Sequence, residues 1–404
     1  MQILSAQSLD LRRLFFSRLV YNLAAVLGLA QTAVAHWLLV LWGASPIPAW
    51  RHVGISALLV VANALAVPNV TRRRRLPGAA GLAARLYVQL GIGTLLVGLA
   101  IAASWLVFLP ARLALGFEPA LAAFRVVSPG LVALVVGAVA WGFTGGQSRV
   151  ARTRLQVGIE DLHDDLHGLR LAQISDLHIG NALEGERLER MVARVNAIEA
   201  DLIVLTGDLF DFDPAVVDEG ARALGELRAR LGVYAILGNH DVYVGADRVA
   251  DALATRAPGL RLLRDEIVRV PTTAPLYLAG LEDPGRRWFD RRLRYPVLDA
   301  LAERRPDDGP VLLLAHQPEI FGHAADLGFP LVLAGHTHGG QLALPTPGGH
   351  WNLARVMTPL TRGVYRREAT TLYVNRGLGV GGPALRINCP REIAVVELIA
   401  ASRP

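Results

Sequence analysis

The chain has 404 residues, 41 basic against 35 acidic, a net charge of +6, and 52% hydrophobic residues. A disordered chain would be less apolar and more charged, and a disulfide scaffold would carry many more cysteines than the single Cys389. An isoelectric point near 9.9 and a mean hydropathy of +0.36 leave two readings open, a nucleic-acid partner or membrane spans, and only the placement of the charge separates them.

Every basic residue is arginine, and the arginines are unevenly spread. Residues 1–154 hold 14 of them against two acids, Asp10 and Glu118. The remainder holds 27 against 33 acids, so the first part is +12 and the second −6. The composition therefore breaks near residue 150, and a first domain is predicted over 1–150. It contains four apolar runs, Leu19–Trp42, Val53–Val70, Tyr87–Leu109 and Val126–Phe143, none with Asp, Glu, Lys or Arg. Each approaches the ~20 residues that a helix needs to cross a bilayer. They predict an α-helical membrane domain of four spans. Pro68 and Pro129 lie inside the second and fourth runs, which leaves three spans with a re-entrant segment as the alternative.

Arginine placement orients the spans. Arg12, Arg13, Arg18, Arg72–Arg75, Arg85, Arg149, Arg152 and Arg154 flank one side, and only Arg51, Arg112 and Arg125 flank the other. This bias predicts a multi-pass membrane protein with both termini in the cytoplasm, so that everything after the fourth span sits on the cytoplasmic face. Arg12–Arg13 before Leu14-Phe15-Phe16 weakly resembles an export signal, but a positive flank of the first span fits better, since three more runs follow. His36 is the one ionisable residue inside the runs. Without an acidic partner it reads as a histidine packed neutral between helices, and the spans read as an anchor.

From about residue 155 the pattern changes. Short apolar runs stop at polar motifs: Leu169–Ile174 at Asp176-Leu177-His178, Leu202–Leu205 at Gly207-Asp208, Val233–Leu237 at Gly238-Asn239-His240-Asp241, Val311–Ala315 at His316, and Leu331–Ala334 at Gly335-His336-Thr337-His338. Such runs read as buried strands. Glu184–Glu199 and Asp213–Arg230 have helical periodicity between them. The alternation predicts an α/β sheet over 155–404 with both faces covered. Ligands bind beyond the carboxyl ends of such strands, so five strand ends would bring Asp, Asn and His side chains to one edge. Taken singly, Asp-x-His or Gly-Asp is an ordinary turn. Five such motifs at five strand ends form a metal-binding composition suited to Mn, Fe or Zn. A carboxylate such as Asp208 is placed to bridge two ions ~3.5–4 Å apart, the clamp used for displacement at phosphorus.

Together these segments resemble the signature of the calcineurin-like metallophosphoesterases, over roughly residues 165–400. Gly339-Gly340-Gln341, Asn375-Arg376-Gly377-Leu378-Gly379 and Cys389-Pro390-Arg391-Glu392-Ile393 resemble the membrane-associated bacterial YkuE-like and YaeI-like branch, related to enzymes that hydrolyse UDP-2,3-diacylglucosamine. The resemblance implies a four-layer αββα sandwich with two mixed sheets. It implies that Asp176, His178 and His338 hold one metal, that Asn239, His316 and His336 hold a second, and that Asp208 bridges them. His240 would lie near the leaving-group oxygen, as general acid or charge stabiliser. Asp241 and Asp211 would orient its surroundings.

Other residues carry weaker signals. His163 and His167 read as solvent-facing, and His323 and His350 as ordinary packing residues near the cleft. Arg286, Arg287, Arg376 and Arg386 suit phosphate or head-group contacts, and Trp288 and Phe289 suit a lipid-facing loop. Cys389 reads as a small hydrophobe. The function expected is a membrane-anchored dinuclear phosphoesterase acting on a phosphodiester, pyrophosphate or phosphomonoester, in a lipid-linked or nucleotide substrate. A non-catalytic scaffold or regulatory domain of this fold is the alternative, and the intact His240 argues against it. A transporter is disfavoured by the uncharged spans. A nucleic-acid partner is not expected, because the half that carries the site is the acidic one.

Overall fold

The computed structural model describes residues 3–42, 49–73, 78–285, 295–347 and 349–401. They form two compact units, Met1–Trp141 and Gly142–Pro404.

The first unit is helical: α1 (Ile3–Leu41), α2 (Ala49–Arg73), α3 (Gly78–Leu115) and α4 (Phe117–Trp141). The segments Tyr21–Leu41, Trp50–Val67, Ala79–Leu115 and Phe117–Gly146 are long and apolar enough to cross a membrane. Both proline-containing runs lie within continuous helices. Two ends differ from the sequence reading. α3 runs through Pro110 and stops at Gly116, whose φ of +86° and N–H bond to the Arg112 carbonyl, 3.0 Å, close the last turn as a left-handed glycine does. α4 begins at Phe117 rather than Val126 and carries Glu118 in its first turn, where a carboxylate suits the unpaired amides. The unit packs around Trp37, Ile101, Phe108 and Phe124. Trp37 donates its indole N–H to Ser128 at 2.9 Å. Asn63 donates to Gln31 at 2.7 Å and accepts from the Tyr87 hydroxyl. His36 has a ring neighbour the apolar runs did not include, His52 on α2, at 4.7 Å between centroids. Leu58, Leu65, Leu90, Leu106 and Leu113 are exposed, a surface suited to lipid rather than water.

The second unit opens with a π-helical turn, Gly142–Gly146. In chain order it comprises β1 (Val150–Ile159), β2 (Arg170–Ile174), α5 (Glu186–Asn196), β3 (Leu202–Thr206), α6 (Val217–Leu224), β4 (Val233–Ile236), α7 (Asn239–Arg256), β5 (Leu260–Leu262), β6 (Glu266–Arg269) and β7 (Tyr277–Gly280). It continues with α8 (Pro296–Glu303), β8 (Val311–Leu314), α9 (Phe321–Asp326), β9 (Leu331–Ala334), β10 (Ala343–Thr346), β11 (Gly349–Asn352), β12 (Gly363–Arg367), β13 (Thr370–Val374) and β14 (Arg391–Ala400). One mixed sheet has the order β1-β14-β2-β3-β4-β5, and a second has β12-β13-β9-β8-β7-β6. β10 and β11 form a separate hairpin.

Strand alternation builds the layers. Leu202 and Val204 of β3 point into a core shared with Leu278, Leu312 and Leu333 of the other sheet. Ile203 and Leu205 point the opposite way, onto Val192, Leu224 and Leu253 of the covering helices. Leu313 and Val332 pack outward against Leu298 and Phe321. The result is helix, sheet, sheet, helix, the sandwich that the resemblance implied. The five ligand-bearing strands are divided between the sheets, three in the first and two in the second, so the site lies where the two sheets' carboxyl ends converge. The domain start expected at 155 falls inside β1, which begins at Val150, ahead of the first strand read from the sequence, Leu169–Ile174.

A buried ion pair ties β14 to the loop after β13. Arg376 donates to Glu392 at 2.6 Å, and the Tyr373 hydroxyl adds a bond of 2.8 Å to the same carboxylate. The Arg376 amide and the Thr153 hydroxyl complete its shell. Burial opposes the charge on Glu392, but Arg376 prevails and holds the carboxyl below its ordinary value of 4.5. Removing one partner of such a pair costs roughly 3 kcal/mol. Glu392→Gln should therefore lower the melting temperature at pH 7. A depressed folded-state pKa stabilises above the unfolded value and ceases to as the pH falls through the folded one. The gap between wild type and variant should thus narrow as the pH falls below 4.5, the ordinary glutamate value, and a gap that stays constant in thermal melts down through the acid range would contradict this assignment.

Candidate metal centre

Each site loop leaves a strand at a sharp angle. Asp176, His178, Asp208, His336 and His338 all have positive φ, between 45° and 72°. Non-glycine residues in that region carry strain, which persists only where the surroundings enforce it. Here the loops brace one another: the amides of Asp176 and His178 donate to the carbonyls of Gly207 and Asp208 at 3.0 and 3.1 Å, and that of Gly335 to His316 at 3.0 Å. Gly207, at φ +86°, has no room for a Cβ, which would stand 2.6 Å from His316 Nδ1. A Cβ on Gly335 would collide with Ser175 and the Asp176 carboxylate.

Three groups of donor atoms lie within 4.8 Å of one another: Asp176, His178 and His338; His178, Asp208 and His240; and Asp208, His316 and His336. Asp208 belongs to two of them. Its Oδ2 is 3.4 Å from His178 Nε2 and 3.2 Å from His316 Nε2, and its Oδ1 accepts the His240 amide at 2.8 Å. His316 Nδ1 stands 2.8 Å from the Thr206 carbonyl, so that nitrogen donates a proton outward and Nε2 is the nitrogen that faces Asp208. His178 Nδ1 faces Asp211 at 3.3 Å, which fixes its tautomer in the same way. Asn239 is buried, with Oδ1 unpartnered, and His338 Nδ1 is likewise unpartnered.

The electrostatics are those of a site shaped for cations. Burial raises the Asp208 carboxyl, but His316 and His240 outweigh it and hold the group well below the carboxylate range. Burial drives His336 down to about 3, reinforced by His316 beside it, and drives His338 well below the usual imidazole value. Asp208 carries His316 the other way, well above that value, despite its burial. Facing nitrogens at 2.9 Å between His178 and His338, and at 3.2 Å between His336 and His316, cannot both be protonated. Lone pairs and carboxylates converging in this way fit divalent ions, and the donor set of Asp, Asn and His suits several of them.

Comparison with known proteins agrees with this geometry. The family model described as calcineurin-like phosphoesterase matches residues 169–340. An uncharacterized metallophosphoesterase of Aquifex aeolicus is 34% identical, over 57% of this chain and 85% of its own length. The chain belongs to the calcineurin-like phosphoesterases. A zebrafish transmembrane protein with a metallophosphoesterase domain is 34% identical over 66% of this chain, which covers 62% of that relative's length. The UDP-2,3-diacylglucosamine pyrophosphatase LpxG of Chlamydia trachomatis is 27% identical over 61% of this chain and 88% of its own.

Within the phosphoesterase domain the remaining expectations divide. His240 lies at the rim of the cluster, packed edge-on to His178 at 4.5 Å and flanked by Phe212 at 4.5 Å and Tyr243 at 5.6 Å. Its Nδ1 is 3.4 Å from Asp211. Asp241 does not reach the cluster's donor atoms. Its carboxylate accepts the amides of Gly238, Leu209 and Phe210, so it shapes two loops and acts on the site only through them. Arg386 is not a phosphate contact, because it is fully buried and donates to the carbonyls of Arg376, Gly377, Gly379 and Cys389. Arg376 is engaged by Glu392. His163 is exposed and caps Asp165, and His323 pairs with Asp299 at 2.8 Å. Arg286, Arg287, Trp288 and Phe289 lie outside the described residues. Sequence reasoning missed Asp283, buried beside the site, which accepts from Gln317 at 2.8 Å and from the Gly285 amide. Asp283 follows β7, whose end carries none of the histidine- or asparagine-bearing motifs that mark the other site strands.

Proposed function

We propose that the chain is a membrane-anchored phosphoesterase with two divalent ions. Asp176, His178 and His338 would hold the first, Asn239, His316 and His336 the second, and Asp208 both. The observation that carries this reading is the paired tautomer lock: Thr206 and Asp211 hold the outer nitrogens of His316 and His178, leaving the inner ones aimed at the same Asp208 oxygen. When bound, two such ions supply a nucleophile at neutral pH and neutralise charge on the phosphoryl oxygens. The chain's own residues position that chemistry. Asp211 orients His178 and His240 together. His240 delivers or holds a proton at the leaving-group oxygen, and the Asp208 and Asp211 carboxylates keep it charged above the ordinary imidazole range against its burial.

For the substrate we propose a pyrophosphate or phosphodiester in a lipid-linked or nucleotide molecule. The membrane helices and the likeness to LpxG support a lipid-linked one. The arginine bias supports a cytoplasmic catalytic domain on the inner membrane. The test is hydrolysis by the purified full chain, loaded with Mn, Zn or Mg, of a panel of UDP-diacylglucosamine-like lipids, linear and cyclic diesters, and nucleotide monoesters. Absence of metal-stimulated turnover on every class would favour the scaffold reading instead. Asp211→Asn is expected to weaken metal affinity or turnover by about 10–100-fold, measured by metal titration, and unchanged binding and turnover would remove Asp211 from the site.

A further inference from the structure

A cavity of about 390 Å³ in the phosphoesterase unit has none of the metal-ligand candidates in its walls. Its walls include Arg187, Arg190 and Arg194 of α5, together with Arg391, Phe143 and Gln147. Spacings of three, four and seven residues put the three α5 arginines on one helix face. Among the described residues no carboxylate pairs with Arg187, Arg194 or Arg391. Arg190 alone has a partner, the exposed Glu186 at 2.9 Å, a contact of little strength. Arg391 is buried, and its guanidinium contacts only neutral oxygens, those of Gln147 and Leu378. Burial, with Arg386 and Arg187 nearby, pushes it down to about 10. This is an uncompensated basic pocket in a domain whose net charge is negative.

Its place in the chain identifies the anion. Phe143 belongs to the last turns of the apolar stretch Phe117–Gly146, where a span leaves the hydrocarbon for the head-group layer. A pocket built partly from that turn, with guanidinium forks on one wall and an aromatic ring on another, matches a phosphate with acyl chains attached. We propose that this pocket binds the head group of an anionic phospholipid of the surrounding bilayer. The site is separate from the hydrolytic one and needs no turnover.

The experiment uses the full chain in vesicles of phosphatidylcholine, with or without phosphatidylglycerol, read by hydrogen exchange of residues 186–196. Phosphatidylglycerol should slow exchange in wild type and leave Arg187→Gln/Arg194→Gln unaffected. In detergent, the double variant should bind phosphatidylglycerol roughly tenfold more weakly or worse. Both arginines are exposed, so the variant should fold, and its unchanged melting temperature verifies this. Equal protection with and without phosphatidylglycerol would overturn the proposal. So would protection reproduced by inorganic phosphate in phosphatidylcholine alone, which would mark a free-anion site. Exchange does not depend on catalysis, so a failed hydrolysis assay leaves this outcome readable.

Discussion

Asp208→Asn should cut turnover by about 10³-fold or more, since two bound cations contribute several kcal/mol of charge stabilisation at phosphorus. The fold should survive, because the asparagine oxygen can still accept the His240 amide that now bonds Asp208 Oδ1 at 2.8 Å. What the variant loses is Oδ2, the oxygen within 3.4 Å of both His178 and His316. An amide NH₂ there would remove the negative charge that two cations would share. Elemental analysis should find fewer than two ions per chain. Two retained ions with near-normal turnover would refute the bridging role.

His240→Ala should lower kcat by about 10²–10⁴-fold, the range for losing a positioned acid, with metal content intact. The leaving group makes the test sharper. An aryl ester departs without a proton, so its hydrolysis should fall far less than that of an alkyl ester. His240 also lies within ligand range of His178 and Asp208. An alanine variant that loses an ion and slows both esters equally would make it a ligand instead.

The sequence disclosed those parts of the molecule in which one short segment carries the whole signal. Strand ends at Ile174, Thr206 and Ala334 were legible because apolar runs stop abruptly at polar residues. Helix ends were less so. The apolar run ends at Leu109, yet α3 continues through Pro110, because a single lost hydrogen bond does not end a long apolar helix, and stops at Gly116. Arg125 reads as the edge of a span, yet its guanidinium reaches the Val40 carbonyl at 3.1 Å and is accommodated inside α4. Roles set by distant partners were illegible. Arg376 and Arg386 look alike in sequence, but one neutralises Glu392 and the other clasps four backbone carbonyls. Asp211 and Asp241 both follow site motifs, and only the fold shows the first facing two imidazoles and the second holding three amides.

The pairing of β1 with β14, from Val150↔Arg391 to Ile159↔Ala400, sets an order of events during synthesis. β1 emerges directly after the helices, while its neighbour in the sheet is the last strand to be made. At about 5–20 residues per second, the nascent chain waits on the order of tens of seconds with that strand and β2 lacking the partner between them. The helices have all been translated by then. Biogenesis of this protein therefore leaves a half-built sheet on a chain whose first four helices are already made, and a ribosome stalled shortly before Arg391 would hold a chain whose Glu392 anchor does not yet exist.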